Sequence, residues 1–231
     1  REAANWYRKY LAYFPGEADT ANTNFLLAEI LFESEDFAAA TTEYERTAYG
    51  YPFHEKSAEA GFAAILAYRE HEKTLAATAR DEWHQAYLDS GLKFADTYPD
   101  HPESGAVLTA VAEDLFQQSQ FDLAIAVGQT VVAKEPPVKP ELARTAWTVI
   151  AHSQFDLANY EAAEQSYYKL RTVTPADDPE AVEEIKDRIA SSIYKQGEMA
   201  RDMGMLEEAV GHFTRLGQVV PDSGFRMTAE Y

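Results

Sequence analysis

The chain of 231 residues contains no cysteine. Disulfides, thiolate zinc ligands and a thiol nucleophile are therefore excluded. The absence does not choose a compartment, because a cysteine-free chain is stable in either redox environment. No apolar run approaches the roughly 18 residues of a membrane span, so direct membrane insertion is not expected. Basic residues are scarce: 20 Lys and Arg stand against 39 Asp and Glu, a formal charge of −19. The acidic excess runs along the whole chain. Such a surface repels phosphate backbones and anionic lipid, so nucleic acid is not expected as the ligand. Also missing are a Gly-rich phosphate loop, a Gly-x-Ser-x-Gly elbow and a His-Glu-x-x-His pair. We expect no enzymatic activity, no metal and no cofactor. The opening Arg1-Glu2-Ala3-Ala4 has neither an initiator Met nor a signal peptide, and we read the chain as an internal piece of a longer protein. What remains is an apolar share of 46%, ample for a folded core.

Internal repetition organises that apolar content. Prolines recur at Pro15, Pro52, Pro99, Pro136, Pro175 and Pro221, in steps of 37, 47, 37, 39 and 46. Twelve residues before them stand Ala3, Ala40, Tyr87, Ala124, Ala163 and Ala209. Eight before them stand Tyr7, Tyr44, Gly91, Gly128, Tyr167 and Phe213. An alanine lets two helices approach closely, and an aromatic four residues later lies on the same face. The proline cannot continue the helix and ends it. An earlier set of small residues, Ala28, Ala112, Ala151 and Gly197, precedes the later alanines by twelve. Four before these come Asn24, Leu108, Trp147 and Ile193; Phe37, Phe121, Tyr160 and Leu206 each open a second helix.

The stretch TAWTVIAHSQFDLANYEAAEQSYYKLRTVTP carries Trp147, Ala151, Tyr160, Ala163, Tyr167 and Pro175 together. This pattern resembles the tetratricopeptide repeat (TPR), a helix–turn–helix unit of about 34 residues. The resemblance implies an all-α fold: a right-handed superhelix of antiparallel helix pairs forming one domain over 1–231. Its repeats are expected at 1–18 (partial), 21–54, 55–101 (irregular), 105–138, 144–177, 178–223 and 224–231 (partial). Lengthened helices and the recurring Phe14-Pro15, Tyr51-Pro52 and Tyr98-Pro99 ends are similar in style to bacterial periplasmic, outer-membrane-associated TPR proteins. That likeness implies a periplasmic setting, with a cytoplasmic adaptor as the alternative.

The deviations are also legible. Pro175 precedes Gly197 by 22 residues, where Pro15 precedes Ala28 and Pro99 precedes Ala112 by 13. The nine extra residues, about two and a half turns, predict one long helix from about 179 to 203, with Asp178 as N-cap and Pro179 at its first position. The surplus of the second unit falls near 68–81, where Gly61 or Ala64 takes the small position. The proline-rich break at 134–140 is too short for a flexible linker, and Pro140 opens the next helix. Residues 223–231 read as the opening of a further first helix. Of the histidines, Glu70-His71-Glu72 reads as a solvated helix face, His101 as a residue of a helix start and His212 as a partner of Glu208. Trp83 has no repeat-position explanation.

In a TPR superhelix the first helices line the concave face, and the family's ligand-facing positions transfer by offset. One yields Phe32, Phe116, Phe155 and Arg201; three residues earlier stand Glu29, Glu113, His152 and Glu198. Seven before the first stand Phe25, Thr109, Thr148 and Tyr194. The resemblance thus implies a protein-interaction scaffold with an aromatic groove and an acidic rim, taking a protein or peptide that offers basic and apolar side chains. The plainer reading of the Phe position is packing between neighbouring helices. A structural spacer and a cell-wall glycan-binding module stand as alternative roles.

Overall fold

A computed structural model describes residues 2–220. Its regular elements are eleven helices: α1 (Glu2–Tyr13), α2 (Thr20–Glu33), α3 (Phe37–Tyr49), α4 (Ser57–Thr74), α5 (Ala77–Thr97), α6 (Ser104–Gln117), α7 (Phe121–Val132), α8 (Pro140–Asp156), α9 (Tyr160–Val173), α10 (Pro179–Asp202) and α11 (Leu206–Val219). The fold is a TPR-type helical repeat, in which α2–α3, α4–α5, α6–α7, α8–α9 and α10–α11 are hairpins and α1 precedes them. No described helix is long and apolar enough to cross a membrane. Residues up to Val107 form one compact unit and those from Leu108 a second. The division falls inside α6 and not at the proline-rich break of 134–140.

Four hairpins close through the same turn. Glu35, Ser119, Ala158 and Gly204 have φ of 61°, 59°, 58° and 77°, the left-handed conformation. The N–H of the next residue reaches back to the carbonyl five residues earlier: Asp36 to Leu31 at 2.9 Å, Gln120 to Leu115 at 2.9 Å, Asn159 to Gln154 at 2.8 Å and Met205 to Ala200 at 2.9 Å. A second bond, from the left-handed residue's own N–H, completes the Schellman pattern that satisfies the last carbonyls of the first helix. In three of the four turns an aromatic pair spans the corner. Phe32 meets Phe37 at 5.2 Å, Phe116 meets Phe121 at 5.7 Å and Phe155 meets Tyr160 at 5.1 Å between ring centroids.

Small residues set the approach of the helices. Ala28, Ala40, Ala112, Ala124, Ala151 and Ala163 have no exposed surface. A Cβ on Gly197 would stand 2.6 Å from Cε1 of Phe213, and one on Gly128 would stand 2.8 Å from Cγ1 of Ile150. One expected position shifts. Ala4, not Ala3, is buried in α1, where the apolar stripe runs Ala4, Tyr7, Leu11. Positions three and four apart share a face, and α2, against which α1 packs, selects the i, i+3, i+7 set.

The irregular hairpin lengthens on both sides, with α4 of 18 residues and α5 of 21. Both candidates for its small position, Gly61 and Ala64, are buried. Trp83 holds the extension together. Its indole N–H donates to the Tyr68 carbonyl at 2.9 Å, and its ring packs on Tyr68 and His71. His71 is therefore half-buried against an indole, which corrects the reading of a solvated face. The predicted long helix is α10, 24 residues beginning at Pro179, and the Asp178 carboxylate accepts from the Ala181 N–H at 3.1 Å. The reading of 223–231 lies outside the described residues.

Two buried polar clusters are internally bonded. In the first unit the Asn24 amide donates to the Glu43 carbonyl at 2.7 Å and to the Thr47 hydroxyl at 3.0 Å, and its oxygen accepts from Tyr51. In the second, Glu164 on α9 is buried beneath Arg215 of α11. The guanidinium donates to both carboxylate oxygens, at 2.6 and 2.9 Å, and the Gln196 amide adds a third bond at 2.7 Å. The bidentate geometry and the third donor offset the cost of burying the charge.

Two substitutions test this architecture. Ala163→Leu overpacks a contact with no free space and is expected to destabilise by about 1–3 kcal/mol; an unchanged urea midpoint would contradict the close approach. Ala158→Gly removes the cost of a side chain in the left-handed region and is expected to stabilise by about 1 kcal/mol. A lowered midpoint in the same measurement would show that the turn does not limit stability.

Candidate functional site

The four repeats that supplied the expected strip do not contribute alike. Phe25 is buried against Tyr44, and the Tyr44 hydroxyl donates a hydrogen bond to Glu29. Burial and the Glu29 carboxylate hold the Tyr44 hydroxyl far above the ordinary phenol range. Glu29 thus serves its own hairpin. Phe32 lies between Phe37 and Tyr44. Thr109 is buried, Phe155 closes its turn, and Tyr194 packs on Phe213 at 5.7 Å. Glu198 accepts from Lys195 at 2.8 Å and lies 3.8 Å from Arg201, which also holds Asp202.

Four of the expected residues do converge. Glu113 and Phe116 of α6 and Thr148 and His152 of α8 line one groove, with Gln117, Arg144, Thr145, Val149, Asp178 and Ala181 completing it. Its volume is about 540 Å³, in the range of small-molecule and peptide sites. Helical spacing explains the α8 wall: Arg144, Thr148 and His152 follow one another at four-residue steps on one face. The α10 wall depends on Asp178, whose N-cap role fixes the start of the helix beside Arg144, 3.9 Å away. Phe116 faces the His152 ring at 6.0 Å, and His152 continues to Tyr167 at 5.7 Å.

The electrostatics of this groove are mixed. Burial, and secondarily the charge of Asp114, raise the Glu113 carboxyl above its ordinary value. Burial lowers His152, Arg188 lowers it further, and Glu184 and Asp156 oppose them. With Arg144 in its lining, the groove is not uniformly acidic. The repeat offset found the α6 and α8 positions. It missed Arg144 and Asp178, because the former lies outside the transferred positions and the latter reads in sequence only as a cap. Among the described residues no group of three His, Asp or Glu side chains could hold a metal ion.

No family model matches the chain, and no curated protein matches it. Among solved structures, the chain is similar to the crystal structure of YrrB, a TPR protein with an unusual peptide-binding site. The likeness is 14% in sequence with a TM-score of 0.41, over 98% of each chain.

The titration of His152 gives a stability test. Its folded pKa lies below the unfolded value of 6.5, so the unfolded chain binds the proton more readily. The contribution is present above pH 6.5 and is lost as the pH falls through the interval below it. Urea midpoints at pH 7.5 and 5.5 should fall for the parent and fall less for His152→Gln. An equal fall in both proteins would remove His152 as the cause.

Proposed function

We propose that this protein is an interaction scaffold whose second unit binds a peptide segment in the α6–α8–α10 groove. The segment presents an apolar side chain to Phe116 and a Lys or Arg to Glu113. The observation that carries this reading is the convergence of four ligand-facing TPR positions around one groove whose carboxylate is already disfavoured as a charge. A ligand cation beside Glu113 relieves that cost, which favours a basic segment over an acidic one. Thr148 and Gln117 supply side-chain donors and acceptors for an extended backbone. In unit one Phe25, Glu29 and Phe32 are engaged with Tyr44 and Phe37 of their own hairpin, so the proposal is confined to unit two.

The test is selection of random twelve-residue peptides on the immobilised chain, followed by titration of the selected peptides in solution. Enrichment of Lys or Arg next to Leu or Phe is expected. Glu113→Lys should weaken binding about tenfold, equivalent to about 1.4 kcal/mol, with a salt dependence that the variant loses. Thr148→Arg, which fills the groove without touching the core, should abolish it. Selected peptides that bind both variants as they bind the parent would reject the groove.

A further inference from the structure

The fourth hairpin turn breaks the pattern of the other three. Where they place a Phe before the left-handed residue, it has Arg201, and where they open the second helix on an aromatic, it has Leu206. Arg201 turns to Asp202, at 3.0–3.1 Å, and cannot cover the corner. Leu206 is left 64% exposed, and Val210, one turn on, is 64% exposed as well. Around the same corner Met199, Met203 and Met205 are 36%, 64% and 42% exposed. Three of the four methionines of the chain thus stand within seven residues, on a surface otherwise rich in charge.

These methionines border a second groove, of about 480 Å³, between α9 and α11 above the C-terminal half of α10. Its floor is Glu164, Gln196 and Arg215, already bonded to one another. Both oxygens of Glu164 are occupied, so the floor does not call for a metal ion or a small polar ligand. Among the described residues, the buried polar atoms without partners lie on Glu43, Tyr49, His54, Ser153 and Tyr167, none of them in this groove. The groove is therefore read by its walls. Glu161 stands on the α9 wall and Glu208 on the α11 wall, with methionine between them.

We infer that this groove docks an amphipathic basic helix of a partner protein, its apolar stripe on Met199, Met203 and Met205 and its Lys or Arg residues on both flanks, against Glu161 and Glu208. Methionine suits such a surface because its unbranched, polarisable side chain re-packs around varied partners. A row of methionines flanked by a carboxylate on either wall selects a helix with basic residues on both edges of its apolar stripe. A second copy of this chain, with its charge of −19, meets like charge there. This site is separate from the α6–α8–α10 groove, and neither depends on the other.

The probe is a labelled Leu/Lys peptide of about 18 residues, five helical turns, with one apolar face bordered by lysines. Its controls are a scrambled peptide of the same composition and a Leu/Glu counterpart. Methyl-labelled methionine reports the site by NMR, and anisotropy reports affinity. The Leu/Lys peptide should shift the Met199, Met203 and Met205 methyl signals, whereas the Leu/Glu peptide should not. Met203→Lys, at an exposed position that leaves the fold intact by circular dichroism, should weaken binding at least tenfold. Glu208→Lys should weaken it less, and Asp122→Lys, at an exposed position of α7 that lines neither groove, should leave it within twofold. The inference is overturned if the scrambled peptide binds as tightly, if the three methyl signals do not move, if Asp122→Lys weakens binding as much as Met203→Lys, or if those signals depend on protein concentration without peptide, which would mark a contact between copies.

Discussion

The close approach of helices at alanine and glycine governs the rest of this molecule. Where Gly197 meets Phe213, not even one more carbon fits without the ring moving. Where Ala40, Ala124 and Ala163 lie fully buried, each leaves room for a neighbouring helix to pack closely. Aromatic residues then fill the spaces beside the small ones, as Tyr44 and Tyr167 do. Because each hairpin packs mainly on its neighbours in sequence, stability accumulates step by step along each unit.

The turns follow from the same geometry. Two helices that must meet at a small residue leave little chain to connect them, and a left-handed residue reverses the direction at least length. Only one of the four turns uses glycine; the others place Glu35, Ser119 and Ala158 in a conformation that disfavours side chains. The aromatic pairs across the corner supply compensating contact in those three. In the fourth, glycine removes the strain and the aromatic pair is absent. Its apolar residues stand uncovered in consequence. Structure and exposed surface are thus linked at that corner by two changes, Arg201 in place of Phe and Leu206 in place of an aromatic.

Function in such a fold resides in what the packing leaves over. Phe25, Glu29 and Phe32 are consumed within their hairpin, and Glu198 is consumed by Lys195. Glu113, Thr148 and His152 still line an open groove after the helices are paired. The same repeat positions therefore carry different duties in different hairpins. An Arg144 or an Asp178 beside them changes the electrostatics without changing the repeat.

The amino-acid sequence by itself determined the helix pairs, the alanine contacts, the long α10 and its Asp178 cap. These follow from local periodicity and spacing, which are properties of a single helix or of two neighbours in the chain. It also set the strongly acidic charge, since that is composition. Only the tertiary structure decided that Ala4 and not Ala3 is buried, because both lie beside Tyr7, three and four residues before it, and the packed helix chooses between them. It alone gave Trp83 its partner carbonyl on Tyr68, and brought Glu164 beneath Arg215, 51 residues away. It alone sorted the positions expected to face a ligand into those engaged within a hairpin and those left open. Periodicity names the face on which a side chain lies, but whether that side chain finds a partner depends on groups that the chain brings there from elsewhere.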